Sequence, residues 1–127
     1  MTKFSDSLRG YAYKILARDG YKCCYCGLDG SKSFESWLSL SWDHLLPKDH
    51  PDRDNPDFIV TACNFCNTAD NRYFDQAKKR NLQFDNLTRE ELIAQRLPYV
   101  MKTRQNYREF WDEHVASKPQ SPPESSN

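Results

Sequence analysis

Four cysteines fall into two C-x2-C pairs, Cys23 and Cys26 within Cys23-Cys24-Tyr25-Cys26-Gly27, and Cys63 and Cys66 within Cys63-Asn64-Phe65-Cys66. Each pair can place two thiolates on one tetrahedral ion while the intervening backbone turns, which makes Zn2+ the expected occupant. Four thiolates leave no open coordination position, so such a site braces a fold and performs no reaction. Cys24 is left over as an odd thiol, either packed or solvent-facing. The gap between the pairs is longer than in a simple zinc ribbon, so the strand and loop between them form an inserted unit cross-linked at its base.

That unit contains Trp42-Asp43-His44-Leu45-Leu46-Pro47, an acid beside an imidazole at an expected strand end. Hydrolysis of a phosphodiester needs a base for water and a cation to absorb charge on phosphate and leaving oxygen. Neutral imidazole is available near pH 7, which suits His44 to the first task. Asp43 suits the second by holding a hard cation such as Mg2+ or Mn2+, with the Asn67 amide oxygen as a further ligand. Asn71 lies four residues on, on the same helix face, and can add another oxygen directly or through water. Taken alone, an Asp-His pair is more often a loop anchor, and Asn67 and Asn71 can simply cap or decorate a helix. Placement between the two cysteine pairs is what favours catalysis.

The elements that must hold these groups follow from pattern. Ser5 or Asp6 can cap a helix with Leu8, Tyr11, Ile15 and Leu16 on one face, ending near Asp19-Gly20. A turn-rich stretch from Gly27 to Ser36 leads into Trp37 to Trp42, where alternation puts Leu38, Leu40 and Trp42 on one side of a strand ending at Asp43-His44. After a loop from Pro47 to Asp57, Phe58 to Ala62 reads as a second strand, and one helix is expected from Asn64 to about Lys79. Thr88-Arg89-Glu90-Glu91 is a capping box for a short helix through Arg96, and Pro98 opens another to about Val115, with Val100, Tyr107, Phe110, Trp111 and Val115 as its buried stripe.

A chain of 127 residues with 38% hydrophobic and 13% aromatic residues and a mean hydropathy of −0.90 suits one domain over 1–117, with its core at 18–80, C-terminal helices at 88–116 and a disordered polar tail at 118–127. No apolar run spans a bilayer and the N-terminus lacks a cleavable leader pattern, so no membrane association is expected; with an odd cysteine count, a reducing, cytoplasmic setting is expected. Lys plus Arg and Asp plus Glu both number 18, so no net positive field holds nucleic acid. Phosphate contacts are then expected locally, from Arg72, Lys78, Lys79 and Arg80, with Arg104 and Arg108 as a second group, although any of these can belong to a solvated helix face. His50 and His114 are expected to be solvated.

Three segments carry a resemblance: Arg18-Asp19-Gly20-Tyr21-Lys22-Cys23 with Cys26-Gly27, Trp42-Asp43-His44-Leu45-Leu46-Pro47, and Val60-Thr61-Ala62-Cys63 with Cys66-Asn67. Over about half the chain these resemble the HNH endonucleases, a branch of the ββα-metal or His-Me finger nucleases. The resemblance implies an α+β fold in which a ββα-metal motif with structural zinc is flanked by an N-terminal helix and C-terminal helices. It also implies His44 as general base, Asp43 and Asn67 on the catalytic metal, and cleavage to a 3′-hydroxyl and a 5′-phosphate in DNA, double-stranded by expectation. Two positions depart from the family pattern. The middle Asn that braces the loop behind the base should fall near Phe58, where there is none; Asp57 or Asn55 can supply the brace from a shifted position, and if neither does, His44 is poorly held and low activity is expected. Asp70 stands where many zinc-containing members have Lys. These departures keep open a catalytically silent zinc module that binds nucleic acid or protein, and neutral charge leaves room for a protein partner or a homodimer.

Overall fold

The computed structural model describes residues 10–69 and 73–116. Its elements are helix α1 (Gly10–Arg18), short helix α2 (Phe34–Leu38), strand β1 (Leu40–His44), a 3-10 turn (Pro56–Phe58), strand β2 (Ile59–Cys63), and helices α3 (Asn64–Thr68), α4 (Tyr73–Lys79) and α5 (Arg89–Trp111). α5 continues into a wider π-type turn, Asp112–Ala116. With helices around a two-stranded antiparallel sheet, the protein is α+β. No described helix is long and apolar enough to cross a membrane.

The sheet register pairs Leu40 with Cys63, Trp42 with Thr61, and His44 with Ile59. β1 is shorter than its alternating sequence suggests, because Trp37 and Leu38 belong to α2. Ser33 caps that helix by accepting the Ser36 N–H at 3.0 Å, a local alternative to the strand that hydroxyl side chains readily offer. β2 also ends at Cys63, which serves as the N-cap of α3, and beyond Leu40 the pairing is reduced to the Asn64 N–H on the Ser39 carbonyl at 2.7 Å.

Three other expectations on the elements are corrected. β2 spans Ile59–Cys63, one residue later than expected, because Phe58 closes the 3-10 turn. The single helix expected from Asn64 to Lys79 is two described helices, α3 and α4. The two C-terminal helices are one, with Pro98 inside it. An interior proline costs a helix roughly 3 kcal/mol, yet α5 has a complete capping box at Thr88 and Glu91 and buries Leu92 and Arg96 before the proline and Val100 after it. Packing on both sides overrides the local break, and Pro98 itself faces solvent. The expected stripe is buried only at Val100; Tyr107, Phe110, Trp111 and Val115 are exposed.

The core explains how α1 and α5 fix the sheet. Leu16 packs with Leu40, Leu92 with Leu45, Leu46 and Val60, and Val100 with Tyr25, Ala62 and the cysteines. α1 ends as its sequence implies, with Gly20 at φ 69 and Tyr21 at φ 59. Arg18 then donates to the carbonyls of Pro56 at 2.9 Å and Ile59 at 2.7 Å, while the Asp19 carboxylate accepts the Thr61 N–H at 2.8 Å. Adjacent residues of opposite charge thus tie one helix end to β2. The expected cap at Ser5 or Asp6, Leu8, and the tail from Lys118 lie outside the described residues.

Candidate metal centre and the Asp43–His44 pair

The sulfurs of Cys23, Cys26, Cys63 and Cys66 all lie within 4.8 Å of one another. Cys26 and Cys63 are 3.8 Å apart, which is about the edge of a tetrahedron drawn around an ion with ~2.3 Å metal–sulfur bonds and far beyond a disulfide. Local sequence builds this cluster. Gly27, at φ 79, closes a turn after the first pair, its N–H bonded to the Cys23 carbonyl at 3.0 Å. The second pair sits at the junction of β2 and α3, where the Cys63 sulfur accepts the Cys66 N–H at 3.4 Å. In the first pair the Cys23 sulfur accepts N–H groups from Tyr25 and Cys26.

Electrostatics favour a cation here. Hydrogen bonds from the Cys63 and Cys66 side chains hold Cys23 far below the usual thiol range, and the proximity of Cys23 pushes Cys63 up to about 11 and Cys66 higher still. Thiols crowded round one thiolate resist ionising beside it, and a dication among them would relieve that repulsion. The donor set therefore fits a structural metal such as zinc. Cys24 is not part of it. It packs against two core clusters, and burial, joined by the negative charge of Cys23, raises its thiol.

Asp43 and His44 occupy the last two positions of β1 and diverge, as neighbours in a strand do. Asp43 is turned inward, only 4% exposed, where it accepts the Tyr25 hydroxyl at 2.8 Å and lies 3.3 Å from the Arg96 guanidinium. Burial beside this carboxylate raises the Tyr25 phenol far above its ordinary value, so it stays a donor. His44 is half-buried, with Nε2 3.5 Å from the exposed Asp54 carboxylate. Its pKa lies below the ordinary 6.5, first because of burial and next because of the Arg53 charge, with Asp54 opposing and Arg96 adding to the depression.

Arg96 reaches both residues at once. The same Nη1 that faces Asp43 donates to the His44 carbonyl at 2.9 Å, and its guanidinium lies over the rings of Tyr73 at 5.0 Å and Phe74 at 5.2 Å. α4 and α5 are thereby joined to the end of β1. Nothing in the local sequence around Arg96 marks this role.

The loop between the strands is braced at several points. The Asn55 side chain caps the 3-10 turn by accepting the Asp57 N–H at 3.0 Å, and Arg89 donates to the Asp57 carbonyl at 3.1 Å. Phe58, where the resemblance would put an asparagine, uses its carbonyl to accept the Leu45 N–H at 2.9 Å. Among these contacts Asn55 bonds loop backbone through its side chain, whereas Asp57 contributes its carbonyl. Arg96 fixes the carbonyl of His44 itself, and Arg18 and Arg89 fix those of Pro56, Asp57 and Ile59 where the chain enters β2, from sequence positions too distant for motif reading to connect.

Asn67 is the fourth residue of α3 and donates its amide to Ser41 Oγ at 3.0 Å and the Trp42 carbonyl at 3.1 Å, which locks α3 to the two residues preceding Asp43. Lys78, Lys79 and Arg80 are exposed at the end of α4. Arg104 lies with its guanidinium 5.5 Å from the Phe65 ring centre, and the exposed Arg108 pairs with Asp112 at 3.2 Å. Asp70, Asn71 and Arg72 lie outside the described residues. His114 is exposed as expected, but His50 is not solvated: its Nε2 meets Asp85 at 2.9 Å and its Nδ1 accepts the Asp52 N–H at 3.0 Å. Searches of family models, of curated proteins and of solved structures return no match to this chain.

Proposed function

We propose that this protein is a metal-dependent nuclease of the HNH type, with the ββα-metal motif formed by β1, β2 and α3 and His44 as its general base. The observation that carries the reading is the state of His44: a half-buried imidazole whose pKa is held below 6.5, on a backbone clamped by Arg96 beside a buried carboxylate. A base for water must be neutral at working pH and held in place; the lowered pKa and the braced backbone of His44 support that reading. Asp54, 3.5 Å from Nε2, is suited to stabilise the imidazolium formed when His44 takes the proton.

Asp43 and Asn67 are the residues that would hold a hard cation such as Mg2+ or Mn2+. Bound there, such an ion supplies positive charge for the phosphate and the leaving oxygen. The fit is constrained, because Asp43 Oδ2 already meets both Tyr25 and Arg96. Any cation must share that carboxylate with an arginine. Lys78, Lys79 and Arg80 on α4 are suited to phosphate contacts on double-stranded DNA.

The Asp43–Arg96 pair also favours a second reading, in which the buried carboxylate is a structural anchor and the protein is a zinc-braced binding module without catalysis. Nicking of supercoiled plasmid with Mg2+ or Mn2+, wild type against His44→Ala with zinc content measured in both, separates the two. Metal-dependent nicking lost in a variant that retains zinc supports the nuclease. Absence of cleavage by folded, zinc-loaded wild type supports the module.

A further inference from the structure

α5 outruns the body it packs on. Its N-terminal part buries Leu92, Arg96 and Val100, but every described residue from Gln105 onward is exposed. Among them Tyr107 is 63%, Phe110 62%, Trp111 45% and Val115 47% exposed. Val100, Tyr107, Trp111 and Val115 follow at helical spacing, so the stripe that enters the core at Val100 continues past its edge. There Tyr107 meets the edge of Phe65 and Arg108 lies over Trp111, but Tyr107, Trp111 and Val115 all stay exposed. Grouped large apolar side chains on a surface mark association. Where the helix leaves the body, Phe65, Arg104, Tyr107, Arg108 and Trp111 line an open groove of about 330 Å3.

Charge identifies the occupant. Arg104, Arg108 and Asp112 follow at four-residue intervals along one flank of the stripe, basic near the body and acidic toward the end, and Glu109 and Glu113 add acid to that same end. We propose that a second copy of this chain fills the groove, the two α5 helices crossing antiparallel about a two-fold axis near Arg108. Apolar stripe then meets apolar stripe, and Arg104 of each copy faces Asp112 of the other. The exposed Arg108–Asp112 contact within one chain, 3.2 Å long, is too weak a bond to prevent this sharing. At the axis the two Arg108 side chains meet as one like-charge contact against two opposite-charge ones, whereas a parallel pair would set all three charges, Arg104, Arg108 and Asp112, against their own kind. A nucleic-acid strand would meet the same arginines together with three acids, Glu109, Asp112 and Glu113, which repel phosphate, and a net charge of zero puts no obstacle in the way of self-association. The inference is independent of any catalytic role for His44.

Sedimentation equilibrium of the zinc-loaded full chain tests it. The expected mass at high concentration is twice the 15.0 kDa of the chain, and Trp111→Asp is expected to remain monomeric with circular dichroism and zinc content unchanged. Arg104→Glu and Asp112→Arg, each compared at the zinc content of wild type because Arg104 also faces the cluster sulfurs, should each weaken self-association about tenfold or more, because two facing pairs turn repulsive. An equimolar mixture of these two variants should regain wild-type affinity, since the mixed dimer restores both opposite-charge pairs. A wild type that stays monomeric at millimolar concentration, or a mixture that associates no better than its components, overturns the proposal. So does quenching of tryptophan fluorescence by a single-stranded oligonucleotide that is present in wild type, absent in Trp111→Phe, and seen while the protein remains monomeric.

Discussion

Arg96 spans the end of β1, its Nη1 3.3 Å from the Asp43 carboxylate and 2.9 Å from the carbonyl of His44. Both side chains of the ion pair are about 5% exposed, so neither charge has water to fall back on. The pair therefore makes the geometry of β1 depend on α5, which stands far away in sequence.

Arg96→Ala should destabilise the protein by about 3–5 kcal/mol, because it leaves the Asp43 charge buried without its cation. It also withdraws a donor from the His44 carbonyl and a cation from the rings of Tyr73 and Phe74. Arg96→Lys keeps the charge but not the fork that serves two acceptors, and should recover only part of the loss. Urea denaturation of the three proteins measures this. A loss below about 1 kcal/mol for Arg96→Ala, the scale of an exposed pair, would show that the contact is not formed in solution.

Gly30 offers a test of packing remote from the charges. A Cβ there would collide with the Leu40 side chain and sit 3.1 Å from the Tyr21 carbonyl. Leu40 is completely buried and packs on Leu16, so it has nowhere to yield. Gly30→Ala should cost about 1–3 kcal/mol, as overpacked cores do, measured as a lower urea midpoint at unchanged slope. An unchanged midpoint would contradict the close approach of the 21–30 turn to β1.

How far the sequence could be read depended on the range of the interactions involved. The cysteine pairs were legible because ligand spacing is a local property of C-x2-C, and the Thr88 box because its partners are three residues apart. Trp37 and Leu38 misled because alternation takes no account of Ser33, whose cap makes a helical turn there instead. Pro98 misled because the burial of Leu92, Arg96 and Val100 on both sides of it is a tertiary effect. Arg96 escaped notice for the same reason: its acceptor on His44 lies 52 positions away. The exposed end of α5 reads as a core stripe in sequence, since a pattern records which face is apolar and not what covers it.

The depressed pKa of His44 fixes the sign of a pH effect. Its folded value lies below 6.5, so between the two values the unfolded chain binds more protons than the folded one, and stability rises with pH across that window. The stabilising contribution is complete above 6.5 and is lost as pH falls through the folded value. Under the nuclease reading the same titration sets the acid limb of kcat/KM, whose midpoint should lie below 6.5. An NMR titration of His44 gives the folded value directly, and a midpoint above 6.5 would mean that the Asp54 carboxylate outweighs burial and the Arg53 charge.

Cys63 carries three duties, and removing it should be far costlier than removing Cys24. It ends β2 opposite Leu40, caps α3 through its sulfur and belongs to the four-sulfur cluster. Cys63→Ala leaves three thiolates, loses the cap and unpins the strand–helix junction that positions Asn67 against β1. The expected result is a protein without stoichiometric zinc whose circular dichroism resembles that of wild type after exhaustive chelation, since the energy of a structural zinc site is largely folding energy. Cys24→Ala removes a packed thiol outside the cluster and should keep one zinc per chain, with a loss of only about 1 kcal/mol. Zinc bound normally by Cys63→Ala, or lost in Cys24→Ala, would show that the metal is held by a different set of sulfurs.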